Sequence, residues 1–274
     1  MATRTGPNRA TEKTRPAREP RPAGKKRRTA VVAALAAALL AAGGVTAWQL
    51  TDRQDGPRPL TTEEASRLAL SRFTLYGASP VRVALTAQEG DGMVVEVHGV
   101  VDYRTRHAAG GYRVSGPAGT LDEGLVVWDT GGLGLAKAPA GVAGPAWEQA
   151  DHVPRSGWSS RAYGTDPLDS GLNLLVQLGA DRPDNPLLLV QSGPRRLGRD
   201  TIDGRAYDRI SGPRPREAAD RDTADSPLTY WIDADGGLRR VTMRIAGLGT
   251  PTTLDLQGQQ AGAKLPEAPW ATAG

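Results

Sequence analysis

The sequence predicts an α+β fold, a curved antiparallel sheet with helices on its concave side, preceded by one transmembrane helix. Three patterns carry that expectation. Nineteen residues without a charge, Ala30–Trp48, follow a basic leader. Apolar residues alternate with a period of two across much of 81–139 and again across 197–256. Between and before those stretches the apolar spacing changes to that of a helix, three or four residues apart.

The leader comes first. Residues 1–28 hold ten basic residues, ending in Lys25-Lys26-Arg27-Arg28, against Glu12 and Glu19, a local charge of +8. The whole chain is +4, so residues 29–274 carry −4. That balance removes the electrostatic basis for nucleic-acid binding by the folded part. The leader reads as a disordered cytoplasmic tail. Ala30–Trp48, with Leu39 near its middle, spans about 28 Å as a helix at ~1.5 Å per residue, close to the hydrocarbon thickness of a bilayer. Basic residues flank its start and Trp48 stands at its far interface, so the rest of the chain is expected outside the cytoplasm. The membrane segment is placed at 29–50 as an uncleaved signal anchor. The rival reading is a cleaved signal peptide, with small residues at Val45-Thr46-Ala47. Both readings export the remainder.

Residues 51–60, with two prolines, read as a linker. Thr61 and Glu64 form a capping box, and Ala65, Leu68, Ala69, Phe73 and Tyr76 make the apolar stripe of the helix that follows. Strands are expected from Val81, with Val95 and Val97 facing inward, and then at Gly111–Ser115, Leu125–Asp129 and Gly134–Lys137. Ala138–Gly164 is a long Pro/Gly-rich connection carrying Trp147 and Trp158. Helical spacing returns over Leu168–Leu178, including Leu172 and Leu175, and a short apolar helix is expected over Asn185–Gln191, including Leu188.

Leu197–Ile202 and Arg205–Ile210 flank Asp203-Gly204, a strong hairpin signal that places Arg199 opposite Asp208 and Leu197 opposite Ile210. A second hairpin runs through Tyr230–Asp233, the turn Ala234–Gly237, and Leu238–Ile245. Thr252–Leu256 is expected as a last strand. The extracytoplasmic domain is therefore 61–257, and 258–274 reads as a disordered tail.

Chemistry is sparse. The chain has no cysteine, which excludes disulfides, thiolate metal sites and a cysteine nucleophile. His98 falls on a polar strand face, and His107 stands beside Arg104 and Arg106. His152 neighbours Asp151, with Ser156, Ser159 and Ser160 nearby, but no nucleophile-elbow motif accompanies them. Asp233-Ala234-Asp235-Gly236 opens like a calcium loop but lacks the later ligands, so it reads as a turn. No enzyme, no cofactor and no metal is expected.

Two stretches resemble a known group. Arg199–Gly204 with Tyr207, followed by Tyr230-Trp231-Ile232-Asp233 and Ala234–Arg240, resembles the paired hairpins of the LolA-like superfamily, which includes the LppX/LprG lipoproteins and RseB-type domains. Gly99–Tyr103 and Arg182–Pro186 are similar to a set of uncharacterised actinobacterial single-pass membrane proteins. The LolA-like resemblance implies an incomplete β-barrel whose helices cap an apolar cavity. The LppX/LprG proteins are tethered through a cysteine, which is missing here, so a transmembrane helix would replace the lipid. The functional expectation is a membrane-anchored domain binding a lipid or other apolar ligand, with Val95, Val97, Leu172, Leu175, Leu188 and Trp231 as candidate pocket residues. The alternative is a regulatory or scaffold ectodomain of RseB type that binds another envelope protein.

Overall fold

The computed structural model describes residues 56–213 and 226–270. The basic leader and the expected membrane segment, marked by Ala30, Leu39 and Trp48, lie outside the described residues. No helix among the described residues is long and apolar enough to cross a membrane.

Among the described residues, twelve strands form one open antiparallel sheet in the order β1-β8-β9-β10-β11-β12-β2-β3-β4-β5-β6-β7. The first meander comprises β2 (Val81–Gln88), β3 (Val94–Asp102), β4 (His107–Gly116), β5 (Gly119–Asp129), β6 (Leu133–Ala136) and β7 (Ser159–Arg161). The second comprises β8 (Arg195–Ile202), β9 (Arg205–Ser211), β10 (Leu228–Ile232), β11 (Leu238–Met243) and β12 (Thr252–Gln259). The two join where β12 pairs with β2, with Leu254 opposite Leu85. Residues read as linker supply β1 (Arg58–Pro59), an edge strand on β8.

Helix α1 (Thr62–Gly77) starts at the expected capping box: the Glu64 N–H donates to Thr61 Oγ1 at 3.2 Å and the Thr61 N–H to Glu64 Oε2 at 2.8 Å. Its buried face is rotated from the expected stripe. Leu75, in register with Leu68 two turns earlier, is buried with Ala65 and Ala69, whereas Phe73 turns outward. Between the two meanders lie α3 (Pro167–Gln177) and α4 (Pro186–Gln191), each opened by a cap, Asp166 and Asn185, and a proline in the first turn. The segment read as one long connection also holds α2 (Ala146–Gln149) and strand β7.

Cross-strand register separates two faces. Val81, Val83, Leu85 and Ala87 share one face with Val95, Val97 and Val101. On it α1 and α3 pack, and Leu172, Leu175 and Val176 are fully buried in the same cluster as Leu85, Leu254 and Trp128. Gly171 marks the close approach: a Cβ there would come within 2.6 Å of Leu85 Cδ1, so a larger residue would force that side chain to shift.

The opposite face was expected to be bare of helices, and it is not. Ala109, Leu125 and Val127 point to that side and are covered by Ala146, Trp147, Ala150, Val153, Trp158, Leu265 and Trp270. The disordered tail expected from residue 258 is likewise corrected. β12 continues to Gln259, and Trp270 Nε1 donates to Asp129 Oδ2 at 2.9 Å. Aromatic and proline residues in the tail find apolar sheet surface that the first helices leave open, which offsets the entropy of ordering them.

The first hairpin of the second meander keeps Arg199 opposite Asp208, but a bulge between Arg196 and Gly198 puts Arg196, not Leu197, opposite Ile210. That slip turns the Arg196 guanidinium to the buried side, where Asp208 and Glu64 receive it.

Candidate functional site

The six candidate pocket residues do not form one pocket. Val95 and Val97 lie under α3's face of the sheet, and Leu172 and Leu175 fill the space above it, so these four are packed core. Trp231 sits on the other face: it is opposite Arg240, which is opposite Asp255, which is opposite Ala84. Its indole N–H donates to Asp200 Oδ2 at 3.2 Å. Leu188 is exposed on α4. At Gly171, Leu172 and Leu175 helix α3 lies directly against the sheet, so these residues meet it as packed contact.

A groove of about 560 Å³ opens instead at one end of the fold. Its floor is apolar: Leu75 and Ala78 from the end of α1, Val81 from β2, Leu238 from β11 and Leu256 from β12. Tyr207 of β9 adds an aromatic wall. Two hairpin turns build the rim. In the first, Asp203 and Gly204 take φ of 51° and 76°, the left-handed pair that a two-residue turn requires and that Asp-Gly tolerates. In the second, Asp233 Oδ1 accepts the N–H groups of Asp235 at 3.0 Å and Gly237 at 2.6 Å. The calcium-like run is therefore a hairpin turn stabilised by its own aspartate. No group of three or more metal-ligating side chains occurs among the described residues.

The rim is charged but balanced. Arg205 pairs with Asp233 at 3.1 Å and Arg239 with Asp203 at 3.0 Å, which clips one turn to the other. Arg239 also reaches Asp255 at 3.1 Å. An apolar floor under a neutralised polar rim suits a molecule with an apolar body and a polar end, without demand for one sign of charge.

At its first turns, α1 is fixed to the sheet by a largely buried ion network. Glu64 accepts from Arg58 at 2.6 and 2.8 Å, Arg196 lies between Glu64 (3.4 Å) and Asp208 (3.2 Å), and Arg67 reaches Asp208 at 2.8 Å. Burial by itself pushes the Glu64 carboxyl up, but hydrogen bonds from Arg58 and the Thr61 N–H and the Arg58 charge outweigh it and hold it at about 2. The network carries more guanidinium groups than carboxylates, and it orients α1, whose last turn floors the groove.

The histidines and the conceivable dyad are placed as follows. His98 is exposed on the outer face. His107 begins β4 rather than lying in a turn; burial lowers its pKa, and its ring bonds the Pro266 backbone. Asp151 and His152 are exposed in a short turn, and Ser159 and Ser160 belong to β7. No hydrogen bond joins His152 to Asp151 or to those serines among the described residues.

No family model matches the chain, and no curated protein matches it. Among solved structures it is similar to an uncharacterised conserved protein of Thermus thermophilus, at 10% identity over 69% of this chain and 83% of that one, with a TM-score of 0.31. A likeness that distant carries no functional argument.

The sequence reading missed the groove because its floor comes from four separate elements. Two turns legible in the sequence, Asp203-Gly204 and Asp233–Gly237, stand on its rim.

Proposed function

We propose that this protein is a membrane-anchored extracytoplasmic domain that binds a lipid or other apolar ligand with a polar end, holding it in the groove at the end of α1. In this reading the sheet curves as an incomplete barrel of the LolA-like kind, and α1 forms part of its cap. The supporting observation is the groove itself: about 560 Å³, inside the roughly 300–1,000 Å³ of small-molecule sites, with Leu75, Val81, Leu238 and Leu256 beneath and Arg205, Arg239, Asp203 and Asp233 above. The ligand's apolar body would displace water from the aliphatic floor, and its polar end would exchange hydrogen bonds with the two turn-to-turn ion pairs. Binding needs no step of covalent chemistry.

The test is mass spectrometry of small molecules retained by the full chain extracted from its native membrane, compared with a Thr74→Trp variant. Thr74 is exposed and lines the groove, so an indole there fills the mouth with little effect on the core. A stoichiometric lipid in the unaltered protein, reduced about tenfold or more by the substitution, supports the proposal; loss of ~1.4 kcal/mol of binding accounts for each factor of ten. A protein that emerges with no bound apolar molecule, or whose lipid is indifferent to Thr74→Trp, would sink it.

A further inference from the structure

Among the described helices, α4 shows solvent the largest number of large apolar side chains. Leu187, Leu188 and Val190 are 73, 62 and 46% exposed, while Leu189 between them packs against the core. The run Asn185–Gly193 contains no charged residue. α4 packs beside α1, whose Phe73 is 41% exposed. Isolated exposed leucines need no explanation, but three on one short uncharged helix form an apolar surface that water disfavours.

The position of α4 says what covers that surface. It leads through Ser192–Pro194 into β8, and β8 pairs with β1, where the described chain enters the domain: Arg195 lies opposite Pro59, and its guanidinium donates to the Pro57 carbonyl at 2.9 Å. In the sequence only seven residues, 49–55, separate Trp48 from Gly56. Even fully extended, at about 3.5 Å per residue, that chain reaches no more than roughly 28 Å.

We infer that α4 is a second membrane contact: Leu187, Leu188 and Val190 enter the headgroup–acyl boundary of the bilayer that Ala30–Trp48 is proposed to cross. The inference rests on the anchored reading and extends it. Apolar area buried at the interface is favourable in proportion to its extent, though three aliphatic side chains are weak by themselves. A short tether raises their effective concentration at the surface to the order of millimolar, so a weak site suffices. The composition also favours lipid over protein. Asn185–Gly193 has none of the Trp, Tyr or Arg anchors that dominate protein interfaces.

The absence of cysteine makes the test direct, since one introduced thiol labels one site. The full chain is reconstituted into phospholipid vesicles with a bimane label at Leu188→Cys, and nitroxide-bearing lipids are added as quencher. Leu121→Cys, 59% exposed on β5 in the first meander, is the control. The expected result is several-fold stronger quenching at 188 than at 121. Label at Val190→Cys should be quenched in the same way and lose that quenching when Leu188→Glu is added. Resistance to alkaline carbonate extraction, measured on the same vesicles, reports the anchor separately. A carbonate-resistant protein with equal, weak quenching at both positions overturns the docking and leaves the anchor standing. A protein stripped by carbonate overturns the anchored reading, and the docking with it. Absence of quenching in lipid vesicles, with a cross-link from 188 to another protein in native membranes, overturns the lipid contact in favour of a protein one.

Discussion

Two regions where helices meet the sheet, under α3 and under α1, use opposite solutions. Under α3, glycine and aliphatic side chains bring helix and sheet into dry contact: Gly171 against Leu85, with Leu172, Leu175 and Leu254 filling the layer. Under α1, contact is partly ionic, through Glu64, Arg196, Asp208, Arg67 and Arg58, and it ends in an open groove. The first region stabilises the fold. The second fixes a direction and leaves space. A charged network tolerates little displacement, so it holds α1 at one angle while its last turn remains uncovered.

Breaking the dry region should cost most. Leu172→Ala removes a fully buried side chain from a site with no slack and should destabilise the domain by about 2–5 kcal/mol in denaturant titrations. Lipid retained per folded molecule should not change. If retention falls instead, the groove and the α3 layer are one site and the contrast fails.

Next in size is Asp208→Ala, which leaves Arg196 and Arg67 short of a buried carboxylate. A loss of about 3 kcal/mol is expected by the same titration, together with weaker lipid retention because α1 is no longer held. Removing the aromatic cover of the outer face, by Trp270→Ala, should cost about 1–2 kcal/mol with no effect on retention.

Glu64 gives the contrast a pH signature. Its folded pKa of about 2 lies below the ordinary 4.5, so its contribution is complete above 4.5 and is lost as pH falls through that value toward 2. Glu64→Gln should be less stable at neutral pH and should lose less on acidification than the unaltered protein, read from thermal midpoints across that window. A parallel acid dependence in both would place the acid sensitivity elsewhere. The smallest effect is expected for Arg205→Ala on the exposed groove rim, under about 1 kcal/mol, which separates a rim that shapes ligand preference from one that holds the fold.

Local chemistry was legible where the causes are local. The capping box at Thr61 and Glu64, the Asp203-Gly204 turn and the Asp166-Pro167 helix start each depend on residues within a few positions, and each formed as its spacing required. The pocket was not legible. Alternation identifies Val95 and Val97 as inward-facing but is silent about whether inward means cavity or contact, and Gly171 decides that from far along the chain.

The sequence alone determined the strand periods, most of the strand pairs joined by short turns, the helix starts and the charge asymmetry of the leader, because backbone hydrogen bonding and side-chain alternation act between near neighbours. Only the tertiary structure decided that β12 closes on β2, that Arg196 rather than Leu197 turns inward beside Asp208, that the tail covers the outer face through Trp270, and that free space lies at the end of α1. Those outcomes depend on contacts between residues distant in sequence. Which of several compatible apolar surfaces meet is set by the total burial and hydrogen bonding of the whole sheet, a quantity that no single segment contains.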